Sequence, residues 1–104
     1  MPKELSFHDF APHRNTIFRI ADGAGYDFEL VEVTDHSNAQ LEQFSLIFTC
    51  PDLPWLPQGI YTLAHPDLVE VVLFIVPIGP AGNVMRYESV FSRLVKGSQN
   101  VQRD

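Results

Sequence analysis

Residues 59–78 read GIYTLAHPDLVEVVLFIVPI, and the corner at Pro66 constrains the fold more than any other feature of the chain. Proline presets φ for the first corner of a turn, and Asp67 suits the second. Before the corner, GIYTLAH (59–65) alternates, with Tyr61, Leu63 and His65 on one side. After it, LVEVVLFIVPI (68–78) returns antiparallel as the second arm of a hairpin. Between Val71 and Val76 both faces of that arm are apolar. One face belongs to a core. The other is expected to be covered by the N-terminal segment, by the loop carrying Trp55, or by another copy of the chain, because lone domains avoid large exposed apolar patches. Straight, the arm would reach about 36 Å, against a radius of gyration of about 13 Å for a domain of this size. It therefore has to bend, bulge or project. Pro77 has no N–H and is expected to mark the end of regular pairing.

The rest of the chain carries compatible signals. LSFHDFAPH (5–13) reads as a short helix capped by Ser6, with Phe7 and Phe10 on one face and Pro12 ending it. NTIFRI (15–20) is a strand with Thr16, Phe18 and Ile20 on one side, and ADGAG (21–25) is a turn. YDFELVEVT (26–34) changes parity midway: Tyr26, Phe28 and Leu30 share one face, Val31 and Val33 the other. A bulge near Leu30–Val31 or burial on both faces accounts for the slip. DHSNAQ (35–40) is a polar loop. EQFSLIFTC (42–50) has the cleanest period of two, with Phe44, Leu46, Phe48 and Cys50 facing one way. PDLPWLPQG (51–59) contains three prolines and must be a rigid, extended connection. GPAGN (79–83) turns again into VMRYESVFSRL (84–94), a last strand.

Strands in succession without a crossover helix imply an all-β fold. The expected form is an antiparallel sandwich or partly closed barrel of about six strands with a short N-terminal helix. Residues 1–95 read as a single β domain and KGSQNVQRD (96–104) as a flexible polar C-terminal tail. A chain of 104 residues that is 45% hydrophobic can bury a core without staples, and its single cysteine excludes an internal disulfide. No signal-peptide run is visible at the N-terminus, and Val71–Met85 is too short and too broken by Pro and Gly to span a bilayer as a helix. The expected localisation is cytoplasmic. A net charge of −6, with scattered Lys and Arg, argues against nucleic acid and against an anionic membrane surface.

Chemistry-bearing spacings are missing. DGAGYDFEL fits neither nucleotide fingerprint, and no GxSxG elbow is present. His8, His13, His36 and His65 show no zinc-type spacing, and Cys50 has no cysteine partner, so neither a metal site nor a cofactor is expected. Facing the core, Cys50 would be an inert small hydrophobe. Glu70 and Glu88, on adjacent strands, could approach as a carboxylate pair, but solvated outer positions are the simpler reading. His65 is expected to stabilise the turn that follows it. Trp55 is the leading binding candidate, held by a proline-stiffened loop, with a lid on the barrel end as its alternative. The candidate binding residues are thus Trp55, Tyr61 and His65.

The segments DFAPH…FRI, FSLIF, LPQGIYTLAHPDL, LFIVPIGP and YESVF, spanning Phe7 to Phe91, together resemble a family of uncharacterised bacterial small all-β domains. Where such relatives carry Gly after HPDL, this chain has Val69. The resemblance implies a phage-tail-associated setting and no substrate or active-site residue. The expected function is a non-enzymatic protein-interaction or assembly module, accessory to a phage-tail-like particle, with a protein partner or self-association, a homodimer among the forms. The alternative is a small-ligand-binding domain or small hydrolase that uses the barrel mouth, with His65, Glu70 and Glu88 as its polar groups.

Overall fold

In a computed structural model, residues 7–21 and 25–94 are described. The elements are α1 (Phe7–Phe10), a 3-10 turn (Ala11–His13), β1 (Ile17–Ile20), β2 (Asp27–Asp35), β3 (Leu41–Cys50), β4 (Gly59–His65), β5 (Val69–Ala81) and β6 (Val84–Leu94). The strands close into an antiparallel barrel in the order β1-β2-β3-β6-β5-β4, with β1 meeting β4. Of the two expected forms, sandwich or partly closed barrel, the fold is thus a barrel, and it is closed. The Ser6 cap and the 96–104 tail lie outside the described residues.

Alternation fills the barrel. Phe44, Leu46, Phe48 and Cys50 of β3 point inward, opposite Phe18, Phe28, Leu30, Leu63, Leu73, Ile75 and Tyr87, all of them buried. Rings dominate the packing: Phe48 meets Phe18 edge-on at 5.6 Å and Phe28 at 6.0 Å. A six-stranded barrel is narrow, so side chains of this size leave little else inside it. The parity slip in β2 is a bulge. Leu30 pairs with Phe48 but Glu32 pairs with Ile47, so Val31 is the extra residue and Val33 turns back toward the core.

Strand β5 departs from expectation at Pro77, where pairing does not stop. Val69–Ile75 bond to β4, and Val76–Ala81 bond to β6. One strand thus changes partner edge halfway along its 13 residues. Proline is tolerated where its nitrogen faces an edge with no ladder, and β4 begins only at Gly59, opposite Ile75. A register shift between Pro77 and Gly79 makes Ile78 a bulge, and Gly79 absorbs it at φ +117°, a conformation glycine adopts without steric cost.

Each barrel end is closed differently. At the end where β4 finishes, α1 lies across the opening. Phe10 is fully buried beside Phe18, Phe44 and Phe91, and Phe44 and Phe91 stack at 4.5 Å across the β3–β6 ladder. A helix of four residues has no stability of its own, so tertiary burial holds it. Phe10→Ala should therefore lower the unfolding free energy by about 3–5 kcal/mol, the range for a fully buried phenylalanine. Urea denaturation measures this, and a loss below about 1 kcal/mol would show that the helix is not part of the barrel's core.

Candidate functional site

The proline-rich connection closes the other barrel end, and it does so through Leu56 rather than Trp55. Leu56 packs against the core, while Trp55 remains 44% exposed and Leu53 72% exposed. All three tyrosines of the chain hold this loop by its backbone. Tyr26 Oη donates to the Pro54 carbonyl. Tyr61 Oη donates to the Pro57 carbonyl at 2.6 Å, and Tyr87 Oη accepts the Leu56 N–H at 2.9 Å. Burial pushes the Tyr26 and Tyr87 phenols upward, so they remain protonated at neutral pH. Asp52 adds a fourth tie, accepting the Asp27 N–H at 2.9 Å and the Cys50 thiol at 3.4 Å. Tyr61 is thereby committed to the loop.

His65 lies at the opposite end. It is 5% exposed, packed against Phe18 at 4.6 Å and His13 at 4.7 Å between ring centroids. Its Nδ1 accepts the Asp67 N–H at 3.0 Å, the turn-stabilising bond expected of it. Its Nε2 lies 3.0 Å from Thr16 Oγ1, whose own proton goes to the His13 carbonyl. The hydroxyl must then accept from the ring, which fixes the neutral Nε2–H tautomer. Burial lowers the His65 pKa, and the neighbouring His13 lowers it further. Trp55 and Tyr61 on one end and His65 on the other cannot form one site: along β4 alone, Tyr61 and His65 are about 13 Å apart at roughly 3.3 Å per residue.

The barrel-mouth grouping also separates. Glu88 pairs with Val76 of β5, and Glu70 lies six residues earlier on that strand, about 20 Å away at the same rise. Glu70 is paired with Ala64 on the outer surface. A shallow pocket beside His65 is lined by Ile17, Arg19, Ala64 and Pro66 and contains neither carboxylate.

The second apolar face expected between Val71 and Val76 lies on the outside of β4–β5, where Ile60 joins it. Ile60 is 72% exposed, Val72 64% and Phe74 51%, and Ile60 and Phe74 are direct cross-strand partners. Val71, Leu73 and Ile75 of the same run point inward and are buried. The cover expected from within the chain is not supplied by the described residues, because α1 and the Trp55 loop are used at the barrel ends. The signal was present in the apolar run itself, but only the pairing of Ile60 with Phe74 makes it a contiguous strip.

Cys50 is buried, and desolvation pushes its thiol up to about 11. Two pH units above its ordinary value correspond to about a hundredfold loss of thiolate. A chromogenic disulfide reagent at pH 8 should thus modify the folded protein at least about a hundredfold more slowly than the urea-unfolded chain. Equal rates would mean the thiol is open to solvent.

No helix among the described residues is long and apolar enough to cross a membrane. No curated protein and no solved structure matches the chain. One family model does, over residues 5–91, the greater part of the barrel and its helical plug. The chain belongs to the family described as Domain of unknown function (DUF6916).

Proposed function

We propose that this protein is a non-enzymatic interaction module that assembles through the outer face of β4–β5, and that the occupant of that face is a second copy of the chain. The observation that carries this reading is the exposed strip of Ile60, Val72 and Phe74 on two directly paired strands. Three such side chains offer roughly 300–400 Å² of apolar surface, the size of the largest apolar patch on a typical monomer, a patch that often serves a function. Apolar contact is non-directional, so the strip is complementary to itself across a two-fold axis. With the two strips antiparallel, the exposed Glu70 carboxylates stand at opposite ends of the contact.

Affinity is limited by two terms. The strip is smaller than the ~800 Å² per partner of stable complexes. A net charge of −6 on each copy opposes approach. The association therefore belongs to the transient, micromolar class and strengthens as salt screens the charge. The bacterial, phage-tail-like setting implied by the family resemblance gives such a module its use, because in a particle the local concentration of copies is high and weak contacts act together.

Sedimentation at ten to several hundred micromolar tests the reading. The wild-type chain should show a concentration-dependent dimer that tightens with added salt, and Phe74→Glu should weaken it at least tenfold while leaving the circular dichroism spectrum unchanged. A wild-type chain that stays monomeric throughout this range overturns self-association through this face.

A further inference from the structure

The helical plug and the β4–β5 hairpin meet at three side chains from separate segments. His13 ends the 3-10 turn, His65 ends β4, and Asp67 sits at the corner that follows. One donor atom from each lies within 4.8 Å of the others. His13 Nδ1 and Asp67 Oδ2 are 3.8 Å apart, too far for a hydrogen bond. Two ligands of a tetrahedral ion with bonds of about 2.0–2.1 Å stand roughly 3.3–3.4 Å apart. The separation is thus closer to that of two groups flanking an ion than it is to a direct bond.

We propose that His13, His65 and Asp67 form a binding site for a divalent ion of the zinc class, with one imidazole nitrogen from each histidine and one carboxylate oxygen as ligands. The chemistry of His65 selects its ligating atom. Its Nε2–H is engaged by Thr16, which leaves the Nδ1 lone pair directed to the Asp67 side. A ligating histidine whose other N–H is held by a fixed acceptor is the usual arrangement around such ions, because that bond sets ring orientation and tautomer. Thr16 is the positioning residue here. Binding displaces the Asp67 N–H from Nδ1, one part-buried hydrogen bond, and draws together ligand atoms that now stand up to 4.8 Å apart, a closure of up to about 1.5 Å that the exposed Asp67 carboxylate supplies by swinging inward. Two imidazoles and one carboxylate suit zinc and its neighbours, whereas magnesium and calcium prefer all-oxygen sites. Three protein ligands leave a fourth position for water or a group on a partner.

Spacing rules could not show this site, since His13 is distant in sequence from the other two ligands. Its consequence is mechanical: an ion here fastens the N-terminal plug to the hairpin.

The test uses the full chain freed of metal by chelation, titrated with Zn²⁺ by calorimetry and with Co²⁺ by visible absorption. The expected result is one ion per chain, a Co²⁺ spectrum of low coordination number, and a raised melting temperature. His13→Ala and Asp67→Asn, both at positions outside the core, should each weaken binding at least about tenfold with the fold intact. Thr16→Val should weaken it while keeping one ion per chain, and His8→Ala, an exposed imidazole, should leave it unchanged. Failure to bind Zn²⁺ at a hundred micromolar, or binding unaltered in both His13→Ala and Asp67→Asn, overturns the proposal.

Discussion

The seam between β1 and β4 is the constraint on which the barrel depends. Without it the six strands are a curled sheet with two open edges, each a row of unpaired backbone groups. Yet the seam is short. Strand β1 has four residues, and its ladder to β4 pairs only Arg19 with Ala64 and Ile20 with Leu63. Ala21 extends it by donating to the Thr62 carbonyl at 2.9 Å. In the other direction, side chains replace backbone: Thr16 holds His65, and His65 holds the Asp67 N–H. A histidine occupies an inward position of β4 because one imidazole can join β1, β4 and the turn, which no apolar side chain could do. Its burial is offset by using both ring nitrogens.

Much of this architecture is legible in the chain because it rests on local periodicity. The β3 alternation and the Pro66 hairpin follow from spacing within ten residues or so; the parity slip in β2 is equally local, but it left a bulge near Leu30–Val31 and burial on both faces as alternatives until the β2–β3 register decided for the bulge. Strand β5 was less legible at Pro77. A missing N–H ends a ladder only if both edges are in use, and sequence does not say that β4 starts too late to pair there. The sequence offers Trp55 as lid or anchor, yet Leu56, the next residue, does the closing. In a loop with three prolines the direction of each side chain is set by tertiary ties, here the tyrosine hydroxyls, which no local pattern announces. The convergence of His13 on His65 is non-local in the same sense. The separation of Glu70 from Glu88 came from the offset of the β5–β6 ladder, since adjacent strands do not by themselves fix register.

The filled interior decides where function can reside. Phe18, Phe28, Phe48 and Tyr87 occupy the barrel axis, and both ends are plugged, one by Phe10 and one by Leu56. A ligand entering the mouth would have to displace a buried aromatic side chain, at a cost of several kcal/mol. Barrels that hold small molecules are wider, with room left between inward side chains. In this narrow one the inward face is spent on stability, which is why the proposed contact uses the outside.

On the outside, the β4–β5 hairpin carries two features that stability leaves unexplained: the apolar strip along its face and the histidine–aspartate cluster at its turn. Their sharing one element has a physical consequence. Docking costs entropy in proportion to how freely the docking surface moves, so a strip on a hairpin held at both ends binds better than the same strip on a loose one. The Gly59 end is held by the Tyr61 bond to the proline loop, and the turn end by the Thr16–His65–Asp67 chain. Of these anchors, the turn end is the one that lies, among the described residues, beside the proposed ion site, where the stiffness of the hairpin would depend on conditions outside the protein. An ion there would exchange the His65–Asp67 N–H bond for ligand bonds to His13, His65 and Asp67, and would leave the strip's chemistry untouched while changing its freedom to move. Metal and dimer would then be coupled through entropy rather than through contact, and the coupling would be reciprocal: what stiffens the hairpin for docking is stiffened by docking in turn.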